Sequence, residues 1–312
     1  MNNKYFSECA QCSQTDTFDA KQAFERLSQD YVELVDIVEA YMSQAALERR
    51  TRNSNAIEFA KRIARINGGI KVLQGEYPEC CLIGQEFSNG AMIWECTGVL
   101  IHPQIVLSAA HCYIPTIFIP NIVALKSENK DNLRDAEIVA VHKTRIHPDY
   151  SSIQRFNDIL VLILETESKV APVAIASTNE INEATKTTLV GFGKTDPNAS
   201  QGFGIKREVE VDITHIRRTP MDDLNDAERW LNFESDIEFV AGGDGFDTCR
   251  GDSGGPAYIL VKGERKLAGL TARAAGWSPG DLPCGQGGVY TRIDTGLDFV
   301  REVASQAGIQ LD

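Results

Sequence analysis

Three short segments far apart in the chain constrain its fold, because their chemistry is useful only if the fold brings them together. Their sequences are LSAAHC around His111, FNDIL around Asp158 and GDSGGP around Ser253. A serine hydroxyl is a poor nucleophile at neutral pH unless an imidazole accepts its proton, and the imidazole needs a carboxylate to fix its tautomer. These three residues supply those groups, so the sequence predicts nucleophilic catalysis by a serine. Taken singly, each segment also has a structural explanation, such as a turn entering a strand.

The glycines beside Ser253 suit the same chemistry. An oxyanion must be met by backbone N–H groups, and a side chain larger than hydrogen would obstruct the approach. Gly251 and Ser253 are therefore the expected donors. An ordinary glycine-rich turn would suit Gly254, Gly255 and Pro256 equally well.

The motifs and their order, His then Asp then Ser, resemble the trypsin and chymotrypsin family of serine proteases. The resemblance covers nearly all of residues 66–312 and includes IHP at 146–148, GFG at 191–193 and GVYT at 288–291. It implies two six-stranded antiparallel β-barrels with a C-terminal helix. His111 and Asp158 would come from the first barrel and Ser253 from the second, acting as general base, orienting carboxylate and nucleophile.

The apolar pattern independently predicts an all-β domain over 66–312. Short apolar runs at 105–107, 138–141, 159–164, 187–190 and 267–271 are separated by polar turns. Apolar residues at helical spacing between Leu297 and Val303 predict a final helix.

Residues 1–65 show a different, helical pattern. Phe24, Leu27, Tyr31, Leu34 and the apolar residues that follow are spaced by three and four, so they share one helix face. One interpretation is a pro-segment or interaction region that binds a partner or self-associates. The alternative is a helix that packs against its own protease domain or a second short helix.

The junction of the two regions resembles a zymogen activation site. Arg65 precedes Ile66 in the sequence RINGG. In the family, an activating protease cuts after the basic residue, and the new α-amine pairs with the Asp beside the nucleophile, here Asp252. The pairing makes physical sense, because a buried carboxylate without a partner is costly. The alternative is an exposed helix end and linker.

Asp247 lies where trypsin-like members of the family carry a carboxylate at the base of the primary pocket. The resemblance therefore implies cleavage after Arg or Lys, with Gly288 keeping the pocket open; a turn residue is the alternative reading of Asp247. The cleft wall departs from the family, which usually has Ser-Trp-Gly where this chain has Ala272, Arg273 and Ala274. We expect an altered subsite preference, with Arg273 favouring acidic residues near the cut and Ala274 narrowing the pocket mouth. A local misalignment is the alternative.

The chain has eight cysteines. By resemblance, Cys96 pairs with Cys112 and Cys249 with Cys284, which favours a secreted or periplasmic location. The first residues are too polar for a secretory signal, so a cytoplasmic location stays open. The other four cysteines are Cys9, Cys12, Cys80 and Cys81. They are free thiols, or they form a disulfide that tethers the N-terminal region to the protease domain, or they bind zinc.

Composition narrows the partners. The formal net charge of −13 argues against binding to nucleic acid and favours basic substrates or partners. No apolar run is long enough to span a membrane, and no motif implies a cofactor or a metal.

The resulting prediction is a serine endopeptidase acting on proteins or peptides and made as a zymogen. The alternative is a catalytically impaired binding protein on the same scaffold.

Overall fold

The computed structural model describes residues 69–195, 202–216, 233–243, 247–275 and 284–311. The predicted helical region 1–65 and the junction between Arg65 and Ile66 lie outside the described residues. The described residues all lie within the predicted protease domain, 66–312.

Six antiparallel strands form the first closed barrel, in the order β2-β3-β4-β7-β6-β5. Their bounds are β2 Cys80–Glu86, β3 Met92–His102, β4 Ile105–Ser108, β5 Ile122–Leu125, β6 Glu137–Ile146 and β7 Leu160–Leu164. Every residue of β4 and β7 is buried, as expected for short, continuous apolar runs.

Six further strands form the second barrel, in the order β9-β10-β13-β12-β11-β8, and pairing of β8 with β9 closes it. Their bounds are β8 Lys186–Gly191, β9 Arg207–His215, β10 Glu238–Ala241, β11 Pro256–Val261, β12 Glu264–Ala274 and β13 Gly288–Arg292. A short strand, β1 (Ile70–Lys71), pairs with β9. The prediction of two six-stranded antiparallel barrels is confirmed.

Two α-helices accompany the barrels in the part of the chain that the structure describes. Helix α1 (Thr178–Glu183) begins with a capping box in which Ser177 and Glu180 bond each other's backbone N–H groups. Helix α2 (Ile293–Gln306) is the predicted C-terminal helix, and it extends at both ends beyond the segment from Leu297 to Val303 on which the prediction was based. Within the described ranges, no helix is both long and apolar enough to cross a bilayer.

A shared apolar core joins the barrels and fixes the cleft between them. Leu107 and Val161 of the first barrel belong to the same buried cluster as Phe192 and Tyr258 of the second. Burial of large apolar side chains is the main source of stability in such an interface. The cleft walls therefore belong to two barrels that are held against each other.

Candidate active site

Strand register brings His111 and Asp158 together. Antiparallel β4 and β7 pair with Ser108 opposite Leu160, so the residues just after β4 lie beside those just before β7. His111 lies in a 3-10 turn that follows β4, and Asp158 lies two residues before β7. Asp158 is fully buried, and its Oδ2 lies 2.6 Å from His111 Nδ1, while its Oδ1 accepts the His111 backbone N–H at 2.9 Å. The carboxylate thus holds both the ring and the backbone of the histidine.

Ser253 reaches this region from the second barrel through contacts of its backbone. Its carbonyl accepts the Thr97 N–H at 3.0 Å, and Cys112 Sγ, next to His111, lies 3.6 Å from the same oxygen. The following Gly254 has a φ of 76°, and a Cβ there would lie 2.4 Å from Ala109 N. A residue without a side chain is therefore needed for the two barrels to approach this closely. Within the described residues, Ser253 Oγ makes no hydrogen bond.

Hydrogen bonds fix the orientation of the peptides on both sides of Gly251. The Arg250 carbonyl accepts the Lys194 N–H at 2.9 Å, and in a trans peptide the N–H points the opposite way. Thr97 Oγ1 donates to the Gly251 carbonyl at 2.8 Å and fixes the next peptide. Gly251 has a φ of 102°, and a Cβ would lie 2.6 Å from the Phe203 ring. The expected glycine requirement thus comes from backbone conformation and Phe203.

Asp247 is buried beside the segment that leads into β13. Its Oδ1 accepts the Gly285 N–H at 2.5 Å, and its Oδ2 accepts the Gly287 N–H at 2.8 Å. Burial raises its pKa to about 6, against the lowering effect of these two hydrogen bonds. Ala274 pairs with Gly288 across β12 and β13, and a Cβ on Gly288 would lie 2.6 Å from Tyr290 Oη. The structure therefore brings three of the predicted pocket residues together.

Arg273 does not have the environment expected from the sequence. Its guanidinium binds both oxygens of Glu238, with Nη1–Oε1 at 2.6 Å and Nη2–Oε2 at 2.8 Å. The Arg273 side chain is only 11% exposed, and the Glu238 side chain is fully buried. Glu238 thus compensates the positive charge that was expected to favour acidic substrate residues, and the altered subsite preference stays a prediction. In the family, the serine that usually stands at position 272 bonds the orienting carboxylate through its hydroxyl. Ala272 is buried and has no hydroxyl to offer Asp158.

The Asp252 carboxylate lies against glycines and accepts two backbone N–H groups. Oδ1 accepts from Gly193 at 2.7 Å and Oδ2 from Cys249 at 2.8 Å. A Cβ on Gly191 or Gly193 would collide with these carboxylate oxygens. Burial raises the pKa of Asp252 to about 6, and a cavity beside it is lined in part by Lys194 and Arg207. The predicted partner, Ile66, lies outside the described residues.

Comparison with known proteins agrees with this architecture. A family model described as Trypsin matches residues 67–300, a range that contains both barrels and His111, Asp158 and Ser253. The chain belongs to the trypsin family.

Three relatives illustrate the degree of similarity. Tryptase from Mus musculus is 30% identical over 217 residues, covering 66% of this chain and 77% of the tryptase. Trypsin II-P29 from Gallus gallus is 33% identical over 219 residues, covering 66% and 78%. Serine protease ea from Drosophila melanogaster is 28% identical over 270 residues, covering 76% and 67%. Trypsin-family membership thus accounts for the serine-protease motifs of the sequence.

Both disulfides inferred from the trypsin-family resemblance are present. Cys96 pairs with Cys112, and Cys249 pairs with Cys284. The first tethers His111 to β3, and the second links the Ser253 loop to the segment that holds Asp247. Such bonds fit an extracellular location.

The remaining cysteines stay unpaired or undescribed. Cys80 and Cys81 are buried free thiols in β2, and burial raises the pKa of both. The predicted tether and the predicted zinc site would each also need Cys9 or Cys12, and these two residues lie outside the described residues.

Two residues that shape this trypsin-family site were missed at the sequence level. Thr97 bonds the backbone on both sides of Asp252 through its hydroxyl and its N–H. Glu238 binds Arg273 from β10, a strand that is otherwise apolar. A carboxylate in a fully buried run is itself a signal that a cation lies nearby. No sequence signal identifies Thr97.

Proposed function

We propose that this protein is a serine endopeptidase that uses His111, Asp158 and Ser253. The observation that carries the proposal is the 2.6 Å contact between His111 Nδ1 and Asp158. This contact keeps the Nδ1 proton on the side of the carboxylate, so Nε2 is free to accept a proton from a serine hydroxyl. The backbone contacts of Ser253 to Thr97 and Cys112 hold the nucleophile loop beside that histidine.

The reaction proceeds through an acyl-enzyme. Ser253 Oγ attacks the scissile carbonyl carbon while its proton passes to His111 Nε2. The oxyanion is met by the N–H groups of Gly251 and Ser253. Collapse of the tetrahedral intermediate expels the amine, which takes the proton from His111. Water then attacks the ester with His111 as base, and the acid product leaves.

The proposed substrates are proteins and peptides with Arg or Lys before the scissile bond. Asp247 supports this specificity, because two backbone N–H groups hold its buried carboxylate in one orientation. A cationic side chain that reaches this carboxylate would form a charge-assisted hydrogen bond in a partly dry environment. Ala274 and Gly288 are proposed as neighbouring pocket residues.

We further propose that cleavage between Arg65 and Ile66 activates the enzyme. Two backbone N–H groups are weak compensation for the Asp252 carboxylate, as its raised pKa indicates. The α-ammonium of a new N-terminus at Ile66 would supply a full charge. The cavity beside Asp252 offers a place for it, and the pairing would hold the neighbouring Gly251 and Ser253 in position.

The test compares three forms on fluorogenic peptides with Arg, Lys or Phe before the cleavage site. They are the intact chain, the chain cut after Arg65, and the cut chain with Ser253→Ala. We expect hydrolysis of the Arg and Lys peptides by the cut chain alone. An Arg65→Gln chain treated with the same activating protease is the matched control for cutting elsewhere. Equal activity of intact and cut chains would contradict the zymogen proposal.

A binding protein on the protease scaffold is the second candidate. The observation that favours it is Ala272, which offers no hydroxyl to Asp158. Failure of the cut chain both to hydrolyse any peptide and to react with a fluorophosphonate at Ser253 would favour this candidate over the endopeptidase.

A further inference from the structure

The Arg273–Glu238 pair is a buried, bidentate ion pair in the second barrel. Both carboxylate oxygens accept a guanidinium N–H, and Oε2 also accepts the Glu234 backbone N–H at 2.8 Å. This geometry uses the oxygens as acceptors only, so the pair consists of a carboxylate and a guanidinium. Burial raises the pKa of Glu238, and Arg273 opposes that rise.

The pair also reaches across the cleft to the segment that leads into Asp158. Arg273 Nη1 donates to the Arg155 carbonyl at 3.4 Å, and the guanidinium carbon lies 5.5 Å from the centroid of the Phe156 ring. Arg155 Nη1 donates in return to the Ala272 carbonyl at 3.4 Å. Two long hydrogen bonds and a cation–π contact thus join β12 to this segment.

The contacted segment needs external support because of its backbone conformation. Arg155 has a φ of 59° and Asn157 has a φ of 52°, so both non-glycine residues lie in the left-handed region. Such conformations cost free energy and persist when the surrounding structure holds them. Phe156 lies between them, and Asp158 follows directly. Support at Arg155 and Phe156 therefore affects where the Asp158 carboxylate lies.

Charge gives the pair a second effect on Asp158. The negative charge of Asp158 contributes to the raised pKa of Glu238, so the two carboxylates lie within electrostatic reach of each other. The positive charges facing them are Arg273 and Arg155, with His111 when it is protonated, while Tyr150 stays neutral because burial and Asp158 raise its pKa to about 12. Arg273 thus neutralises a carboxylate that would otherwise act on the His111–Asp158 pair.

We propose that Arg273 and Glu238 are positioning residues for Asp158, which replace the hydroxyl that Ala272 lacks. The guanidinium supports the 155–156 segment through Phe156 and the Arg155 carbonyl, and Glu238 balances its charge. The proposal rests on the proposed function of His111 and Asp158, but its test does not require turnover.

The test is a proton NMR titration of the His111 Nδ1–H in the chain cut after Arg65. Glu238→Gln removes the negative charge, leaves Arg273 charged and preserves the shape of the side chain. We expect the His111 titration midpoint to fall by on the order of half a pH unit. An unchanged midpoint in Glu238→Gln overturns the proposal.

Two further variants separate positioning from general damage. Arg273→Lys keeps the charge but loses the bidentate contact, so we expect a fall in kcat of about 10-fold with little change in KM. Asp294→Asn is the matched control for Glu238→Gln, because the Asp294 carboxylate of α2 forms another ion pair with buried side chains, with Arg292 of β13. A midpoint shift in Asp294→Asn equal to that in Glu238→Gln would refute a specific role. Absence of peptide hydrolysis by the wild-type chain would refute the proposed function but leave the titration test intact.

Discussion

Replacing Asp247 by Asn tests the proposed specificity, because the change removes a charge and keeps the shape. In the structure, the two carboxylate oxygens accept the Gly285 and Gly287 N–H groups. A substrate Arg in the pocket of the variant would be buried without a counter-charge. Loss of one member of a buried, hydrogen-bonded charge pair costs about 2–5 kcal/mol. The expected loss in kcat/KM for Arg peptides is therefore about 30-fold to about 5,000-fold.

The assay measures kcat/KM for matched Arg, Lys and Phe peptides, with enzyme concentrations set by titration of Ser253 with a fluorophosphonate. The Arg-to-Phe ratio is the decisive quantity, because a general loss of activity cancels from it. Asp294→Asn serves as the control, since Asp294 of α2 also has a carboxylate with a side chain only 5% exposed, paired with Arg292. An Arg-to-Phe ratio in Asp247→Asn within about threefold of the wild-type value would refute the argument.

Stability offers a second readout on the same variant. An Asn amide can present only one oxygen, so its NH2 group would face one of the two backbone N–H groups that Asp247 binds. Leaving that buried donor without an acceptor costs about 1–3 kcal/mol. We expect the free energy of unfolding, measured with urea at neutral pH, to fall by less than that amount, because the variant also loses the cost of burying the Asp247 charge.

Three other predictions follow from burial and backbone geometry. Because the pKa of Asp247 is raised to about 6, its carboxylate is ionised above that pH, so the Arg-to-Phe ratio of kcat/KM should fall about 10-fold between pH 8 and pH 5; a flat ratio would contradict this. Gly254→Ala should lower the free energy of unfolding by about 2–5 kcal/mol, whereas the control Gly263→Ala, with positive φ but open space, should cost only about 1–2 kcal/mol. Cys80 and Cys81 should resist iodoacetamide in the native protein and react in denaturant, as peptide mass spectrometry would show, because burial raises their thiol pKa values.

The sequence was a good guide wherever the information is local or carried by a motif. Each of the five apolar runs coincides with a strand, β4, β6, β7, β8 or β12, and the last periodic segment lies in α2. Alternation and apolar runs report which positions avoid water, and this requirement does not depend on the partner strand. Helix α1 was not predicted, because one and a half turns carry too little periodicity to be recognised.

The environment of the cleft wall could not be read in the same way. At the sequence level, Arg273 was a positive charge in place of an aromatic wall, because its partner Glu238 is remote in sequence and lies on another strand. The two meet because β10 and β12 both pair with β13, where Glu238 lies opposite Thr291 and Arg273 lies opposite Val289, and the long arginine side chain spans the remaining offset. A sequence shows the type of charge at each position but not which charges are buried together.

The sequence by itself determined the residue types at the candidate site and predicted an all-β domain over residues 66–312, and its resemblance to the family supplied the two cysteine pairs. Tertiary structure decided how far apart these groups lie and what surrounds them. Gly254 is the clearest example: the sequence suggests a turn, but the constraint is the closeness of Ala109 on the other barrel. The physical reason is that dihedral preferences and apolar periodicity act within a few residues. Burial, charge pairing and steric limits instead depend on contacts between distant parts of the chain.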